Sequence, residues 1–228
     1  DIDALSSAVT ERTKAILINS PNNPTGQIYS EESLLALGRL LTQKCQAFGR
    51  TIYLISDEPY RKVVYDGVRV PSIFTCYRES ILATSYSKDL SIPGERIGYA
   101  AVHPQASYRQ DLIGGMALTN RILGFVNAPA LMQRAVALVQ GATVDISAYA
   151  RKRALLCDGL ADCGYTFVRP PGAFYPGKGH PRGPNHLRPH GPAADNGQPP
   201  PLTGIIILTG PVRRATFFAP DHQHAAAT

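Results

Sequence analysis

Three short stretches hold side chains able to do chemistry together. Ser20-Pro21-Asn22-Asn23-Pro24-Thr25-Gly26 follows one apolar run, Asp57-Glu58-Pro59-Tyr60 a second and Ser85-Tyr86-Ser87-Lys88 a third, with Arg96 a little further on. A lysine amine attacks carbonyl carbons and carries protons. The aspartate adds an acid and the tyrosine a phenol. Together the three stretches raise the question of what needs a lysine, an acid, a phenol and a phosphate site in one cleft. Each stretch alone has a plainer reading, as a tight turn, a capping acid or a solvated lysine. Their shared place, directly after apolar runs, points to one cleft.

The elements that must position them are legible from pattern. Ala15 to Asn19 (AILIN) reads as a buried strand ended by turn formers. Ser30 is placed to cap a helix in which Glu31 and Glu32 suit the positive end of the dipole. Leu34, Leu37, Leu41, Cys45 and Phe48 recur at helical spacing before Gly49 closes it. Thr51 to Ser56, Ser80 to Thr84 and Ile97 to Val102 read as further strands. From about Gln105 to Asp162 the pattern is mostly helical, with breaks expected at Gly114-Gly115, Gly124 to Pro129 and Gly141. Strand and helix in alternation predict an α/β layer with a largely parallel sheet. Ligands of such sheets sit beyond the carboxyl ends of the strands, where the three polar stretches fall.

Composition excludes several classes. With 228 residues, 44% of them apolar and 18% charged, the chain can bury a core and is not disordered throughout. No apolar run reaches the ~18 residues of a membrane span. The opening residues Asp1 to Leu5 have neither a basic nor an apolar signal region. Cys45, Cys76, Cys157 and Cys163 show no CxxC spacing, so reduced thiols and a cytoplasmic location are expected, and no metal site is assigned. The net charge of +6 divides evenly between residues 1–169 and the shorter segment 170–228. No basic stripe or recognition module accompanies it, so no nucleic-acid or membrane partner is expected.

SPNNPTG (20–26), SDEPY (56–60), SYSKDLSIPGERIGY (85–99) and PPGAFY (170–175) together resemble, in order and in the Lys88 to Arg96 spacing, the class I/II aminotransferases. These are pyridoxal-phosphate enzymes of the aspartate aminotransferase fold. The resemblance covers about residues 1–175 and implies pyridoxal 5'-phosphate as cofactor, bound within the three-layer large domain of that fold. It implies that Lys88 forms the cofactor's Schiff base and then moves protons, and that Asp57 pairs with the ring nitrogen. Tyr60 and Asn23 would bond the ring oxygen, and Ser85, Ser87 and Arg96 the phosphate. Pro24 would follow a cis bond, and Asn127 falls where relatives bring side chains from a second subunit. A homodimer acting on amino-acid and 2-oxo-acid substrates is the implied assembly.

The same resemblance implies a division into a partial large domain (1–142), the start of a small domain (143–175) and a tail unlike the family (176–228). The family's phosphate-cradling glycine loop would precede Asp1, and no residue matches its substrate-carboxylate arginine. Twelve of the 19 prolines and five of the six histidines lie in 170–228. Residues 176–201 have no helix or strand period, so disorder is expected of the tail over 176–228, and a shifted reading frame or an unrelated continuation would produce such a change. Within the tail, Gly204 to Leu208 (GIIIL) reads as a possible strand with no neighbouring strand there. A transaminase is the first functional expectation. C–S lyases and cyclopropane-carboxylate synthases share the constellation, and a remnant that binds no cofactor is the third reading.

Overall fold

The structure, a computed structural model, describes residues 1–174 together with the strand segments 206–209 and 214–217. Helix α1 (Ile2–Ala8) starts at Asp1, whose carboxylate accepts from the Asp3 and Ala4 amides and so satisfies two of the orphan donors of the first turn. Strand β1 (Thr13–Asn19) leads through the Ser20–Gly26 turn to α2 (Glu31–Phe48). Ser30 caps α2 by accepting from the Ser33 amide, and Gly49 ends it in the left-handed region at φ 62°, as the sequence predicts. Strand β2 (Tyr53–Asp57), the short helix α3 (Ile73–Cys76), β3 (Ser80–Ser85), a 3₁₀ turn (Pro93–Glu95) and β4 (Gly98–Val102) follow. Helices α4 (Arg109–Ile122), α5 (Ala130–Leu138) and α6 (Ile146–Asp162) complete the family-like part.

The sheet order is β4-β3-β2-β1-β5-β6, with β5 at Ile206–Thr209 and β6 at Arg214–Phe217. β1, β2 and β3 are parallel neighbours, joined by crossovers that carry α2 and α3. β4 runs antiparallel to β3, because the connection between them holds only a turn and no crossover helix. The sheet is therefore mixed, with its parallel strands at the centre. The run expected to be a strand without a neighbour pairs antiparallel with both β1 and β6. An exposed strand edge offers a row of unpaired backbone groups, and β1 presents such an edge to the tail. The expectation of disorder therefore does not hold for 206–209 and 214–217, and the rest of the expected tail lies outside the described residues.

One face of the sheet carries the main core. Ile16 and Ile18 of β1 and Leu54 of β2 pack with Leu34, Leu37 and Leu41 of α2, with Leu5, Val9, Ile52, Ile73 and Tyr77 closing the cluster. Six of these, Ile16, Ile18, Leu41, Ile52, Leu54 and Ile73, are fully buried, which at roughly 25 cal/mol per Å² makes this face the main source of stability. A Cβ on Gly38 would stand 2.2 Å from the carbonyl oxygen of Cys76, so α2 needs glycine there to approach the end of α3.

α4 runs unbroken through Gly114 and Gly115, where a break was expected. A helical glycine costs about 1 kcal/mol relative to alanine without ending the helix, and neither glycine has a neighbour within contact distance of its Cβ position. The expected breaks near 124–129 and 141 are present as the connections around α5. Among the described residues, no helix is long and apolar enough to cross a membrane.

Candidate functional site

Register decides which strand-end residues meet. Asn19 stands opposite Asp57 on β2, and Asp57 stands opposite Ala83 on β3, two residues before Ser85. The three polar stretches therefore leave the sheet side by side at the carboxyl edge, which is the edge that holds ligands in open α/β sheets.

Asp57 is half-buried, and burial raises its carboxyl above the usual range because the charged form is poorly solvated there. Its carboxylate accepts one hydrogen bond among the described residues, from Asn19 Nδ2 at 3.2 Å. The same amide donates to the Asp57 carbonyl at 2.9 Å, and Asn19 Oδ1 accepts from the Asn23 backbone amide at 2.7 Å. Asn23 is exposed, and its side chain has no partner among the described residues. The turn is tied by Asn22, whose Oδ1 accepts from the Thr25 hydroxyl at 2.8 Å, and both Ser20-Pro21 and Asn23-Pro24 are cis.

Glu58 anchors the next segment. Its carboxylate is buried, accepts from the Ser56 hydroxyl at 2.8 Å and is ion-paired with Arg61 at 2.5 Å. Burial still raises its carboxyl, against the lowering effects of Arg61 and Ser56. Arg61 also donates to the carbonyls of Val70 and Pro71, so the loop from 58 to 71 is closed on itself. Inside this loop Tyr60 is buried and meets Phe174 edge to face at 5.5 Å. Sequence reasoning gave Glu58 no role, and its burial is invisible in the motif.

Lys88 is half-buried, and its Nζ lies 5.6 Å from the centre of the Tyr60 ring. The segment that carries it is held at both ends. The Tyr86 amide donates to the Ile97 carbonyl, and the Val144 amide donates to the Asp89 carbonyl. Lys62 pairs with the Asp89 carboxylate at 3.2 Å and also donates to the Gln140 carbonyl. Ser85 and Ser87 are half-buried where β3 ends. A Cβ on Gly98 would stand 2.4 Å from the Thr84 carbonyl, so glycine is what lets β4 close on β3 beside Ser85.

Arg96 is exposed on a left-handed backbone at φ 50°, and its Nη1 donates to the Pro93 carbonyl at 2.9 Å. Its other donors have no protein partner among the described residues. The structure thus gathers Asp57, Tyr60 and Lys88 about one edge with Ser85 and Ser87 beside them, while Asn23 and Arg96 stay exposed at its margin. Asn127 is exposed in the α4–α5 connection. The sequence missed Asn19, which reads as the last residue of an apolar run. Only the register, pairing it with Asp57, could have revealed it.

The donor set fits pyridoxal phosphate chemically. A half-buried carboxylate whose charge is poorly solvated gains from a cationic ring nitrogen, an amine lies near a phenol, and a guanidinium that spends one donor on the Pro93 carbonyl stands with two hydroxyls around the β3–β4 connection. Among the described residues there is no group of three or more His, Cys, Asp and Glu that could hold a metal.

The family model for aminotransferase class I and II matches residues 1–183. The aspartate/prephenate aminotransferase of Thermus thermophilus is 34% identical over 179 residues, 77% of this chain and 44% of that protein. The aspartate aminotransferase of Geobacillus stearothermophilus is 35% identical over 184 residues, 76% of this chain and 43% of that protein. An amino transferase structure from Eubacterium rectale superposes with a TM-score of 0.73 at 45% identity, covering 76% of this chain and 44% of that one. The chain spans less than half the length of these relatives.

Proposed function

The chain belongs to the class I and II aminotransferases, and on that premise we propose that it carries the cofactor edge of a pyridoxal-phosphate-dependent transaminase, moving an amino group from an L-amino acid to a 2-oxo acid. The observation that carries the reading is the side-by-side exit of three polar stretches from parallel β1, β2 and β3, with Lys88 Nζ 5.6 Å from the Tyr60 ring centre. When bound, pyridoxal phosphate supplies an electron sink for the substrate α-carbon. Asp57 holds the ring nitrogen protonated, which its poorly solvated charge favours. Lys88 is the residue that would hold the cofactor's aldehyde, and its Nζ would take and return the substrate proton. Tyr60 and Asn23 orient the ring oxygen, and Ser85, Ser87 and Arg96 hold the phosphate.

A division at 142/143 into a large-domain part and a small-domain start is part of this proposal. So is a homodimer, supported by the exposed apolar side chains Ile122, Leu123, Phe125 and Leu131 around the α4–α5 connection. The cytoplasm is the proposed location, since four scattered cysteines build no disulfide framework.

Incubation with pyridoxal phosphate, borohydride reduction and peptide mass spectrometry test the reading. The expected result is an adduct on Lys88 that Lys88→Ala abolishes, and no adduct on the wild-type chain overturns it. Product formation that requires a 2-oxo acid separates transamination from C–S lyase chemistry. Aspartate is the first amino donor to try, because the relatives are named for it.

A further inference from the structure

Beside the residues expected to touch the cofactor, one polar side chain at this edge has both ends of its amide engaged. We infer that Asn19 is a positioning residue of the ring-nitrogen site, its amide joining the Asp57 carboxylate to the turn that carries Asn23 so that the two contacts keep one separation. The inference rests on the proposed cofactor reading for its purpose, and on geometry for its substance. Asn19 Nδ2 donates to Asp57 Oδ2 at 3.2 Å and to the Asp57 carbonyl at 2.9 Å, and its Oδ1 accepts from the Asn23 amide at 2.7 Å. Asn19 and Asp57 are register partners on adjacent parallel strands, so both side chains rise from the same face of the sheet.

Only an amide does both jobs at this position. An aspartate of the same shape keeps the acceptor for Asn23 but sets a second carboxylate against Asp57, and a leucine of similar volume loses both bonds. The bond from Nδ2 leaves Asp57 Oδ1 without a protein partner among the described residues, which keeps that oxygen available for a ring N–H. A donated hydrogen bond also favours the charged carboxylate and opposes the effect of its burial. The other ionisable groups at this edge are Glu58, the next residue, ion-paired with Arg61, Lys88 over the Tyr60 phenol, and Arg96 at the exposed margin.

Carboxyl-carbon NMR titration of the full chain, ¹³C-labelled at aspartate, reads the coupling without cofactor. Asn19→Leu is expected to raise the Asp57 titration by about one pH unit, the size of one lost hydrogen bond to a charged group. Asn19→Asp is expected to raise it further while keeping the Asn23 amide protected from hydrogen exchange, protection that Asn19→Leu loses. Equilibrium dialysis with pyridoxal phosphate is expected to show about tenfold weaker uptake by Asn19→Leu. An Asp57 titration unchanged in both variants overturns the inference, and Asn19→Asp decides it alone if Asn19→Leu does not fold. If the wild-type chain takes up no pyridoxal phosphate, the functional reading fails, and the Asp57 titration still decides whether Asn19 sets that carboxylate.

Discussion

Helices α2 and α4 are both amphipathic in sequence and both contain glycine, yet they end in opposite environments. α2 buries Leu34, Leu37, Gly38, Leu40 and Leu41 against the sheet, whereas α4 buries no residue and leaves Ile113, Leu118 and Ile122 exposed. The contrast extends to the regions around them. The part built on β1, β2 and β3 has a closed core and holds the candidate site, and the part from α4 to α6 has an apolar surface with few partners. An apolar stripe makes a helix possible, but only a facing layer turns it into stability, since isolated short helices are marginal in water. The site sits on the half whose strands are fixed from one face by that core.

The contrast can be broken most decisively at single leucines. Leu54→Ala, at a fully buried position, is expected to destabilise the chain by about 2–5 kcal/mol in urea unfolding, through lost burial and the cavity left behind. Leu118→Ala on α4, at 58% exposure, is expected to change stability by less than about 0.5 kcal/mol. Equal losses at the two positions would mean that α4 packs as tightly as α2 in solution.

The same substitution at two helical glycines should have opposite signs. Gly38→Ala drives a methyl into the Cys76 carbonyl and is expected to cost about 1–3 kcal/mol by overpacking. Gly114→Ala meets open space and is expected to stabilise by up to about 1 kcal/mol through helix propensity. Thermal unfolding of the two variants beside the wild type measures both.

The smallest expected effect is in pH dependence. Burial raises the Asp57 carboxyl, so its contribution is most favourable below the ordinary carboxylate range and declines as pH rises through its folded value. Asp145, the N-cap of α6, is lowered by its bonds from Ser147 and Ala148, so its contribution is present at neutral pH and is lost as pH falls through its folded value. Across pH 3 to 7, Asp57→Asn should therefore gain stability relative to wild type as pH rises, and Asp145→Asn should lose it. Melting curves at intervals over that range would show the two differences diverging, and parallel differences would contradict the assignment.

The strands, the α2 caps and the residues placed beyond the strand ends were readable because each depends on local chemistry. Ser30 caps because its hydroxyl reaches an amide three residues on, and Gly49 ends a helix because it tolerates positive φ. The break expected at Gly114-Gly115 failed for the complementary reason, that glycine weakens a helix without ending it. Glu58 illustrates a different limit. It follows the motif's Asp57 in the chain and looks like a surface acid, but just past the end of β2 it is buried, where Ser56 and Arg61 satisfy it.

By itself the sequence determined the order of elements, from periodicity, and the motifs in which Asp57, Tyr60 and Lys88 resemble the family's residues, since both are written in residues adjacent in the chain. The tertiary structure decided what depends on residues far apart. It set the Asn19 to Asp57 register, the antiparallel return of β4, the pairing of β5 with the open edge of β1, and the burial of α2 but not α4. The physical reason is that strand pairing and burial are properties of two partners, and a linear pattern specifies only one of them at a time.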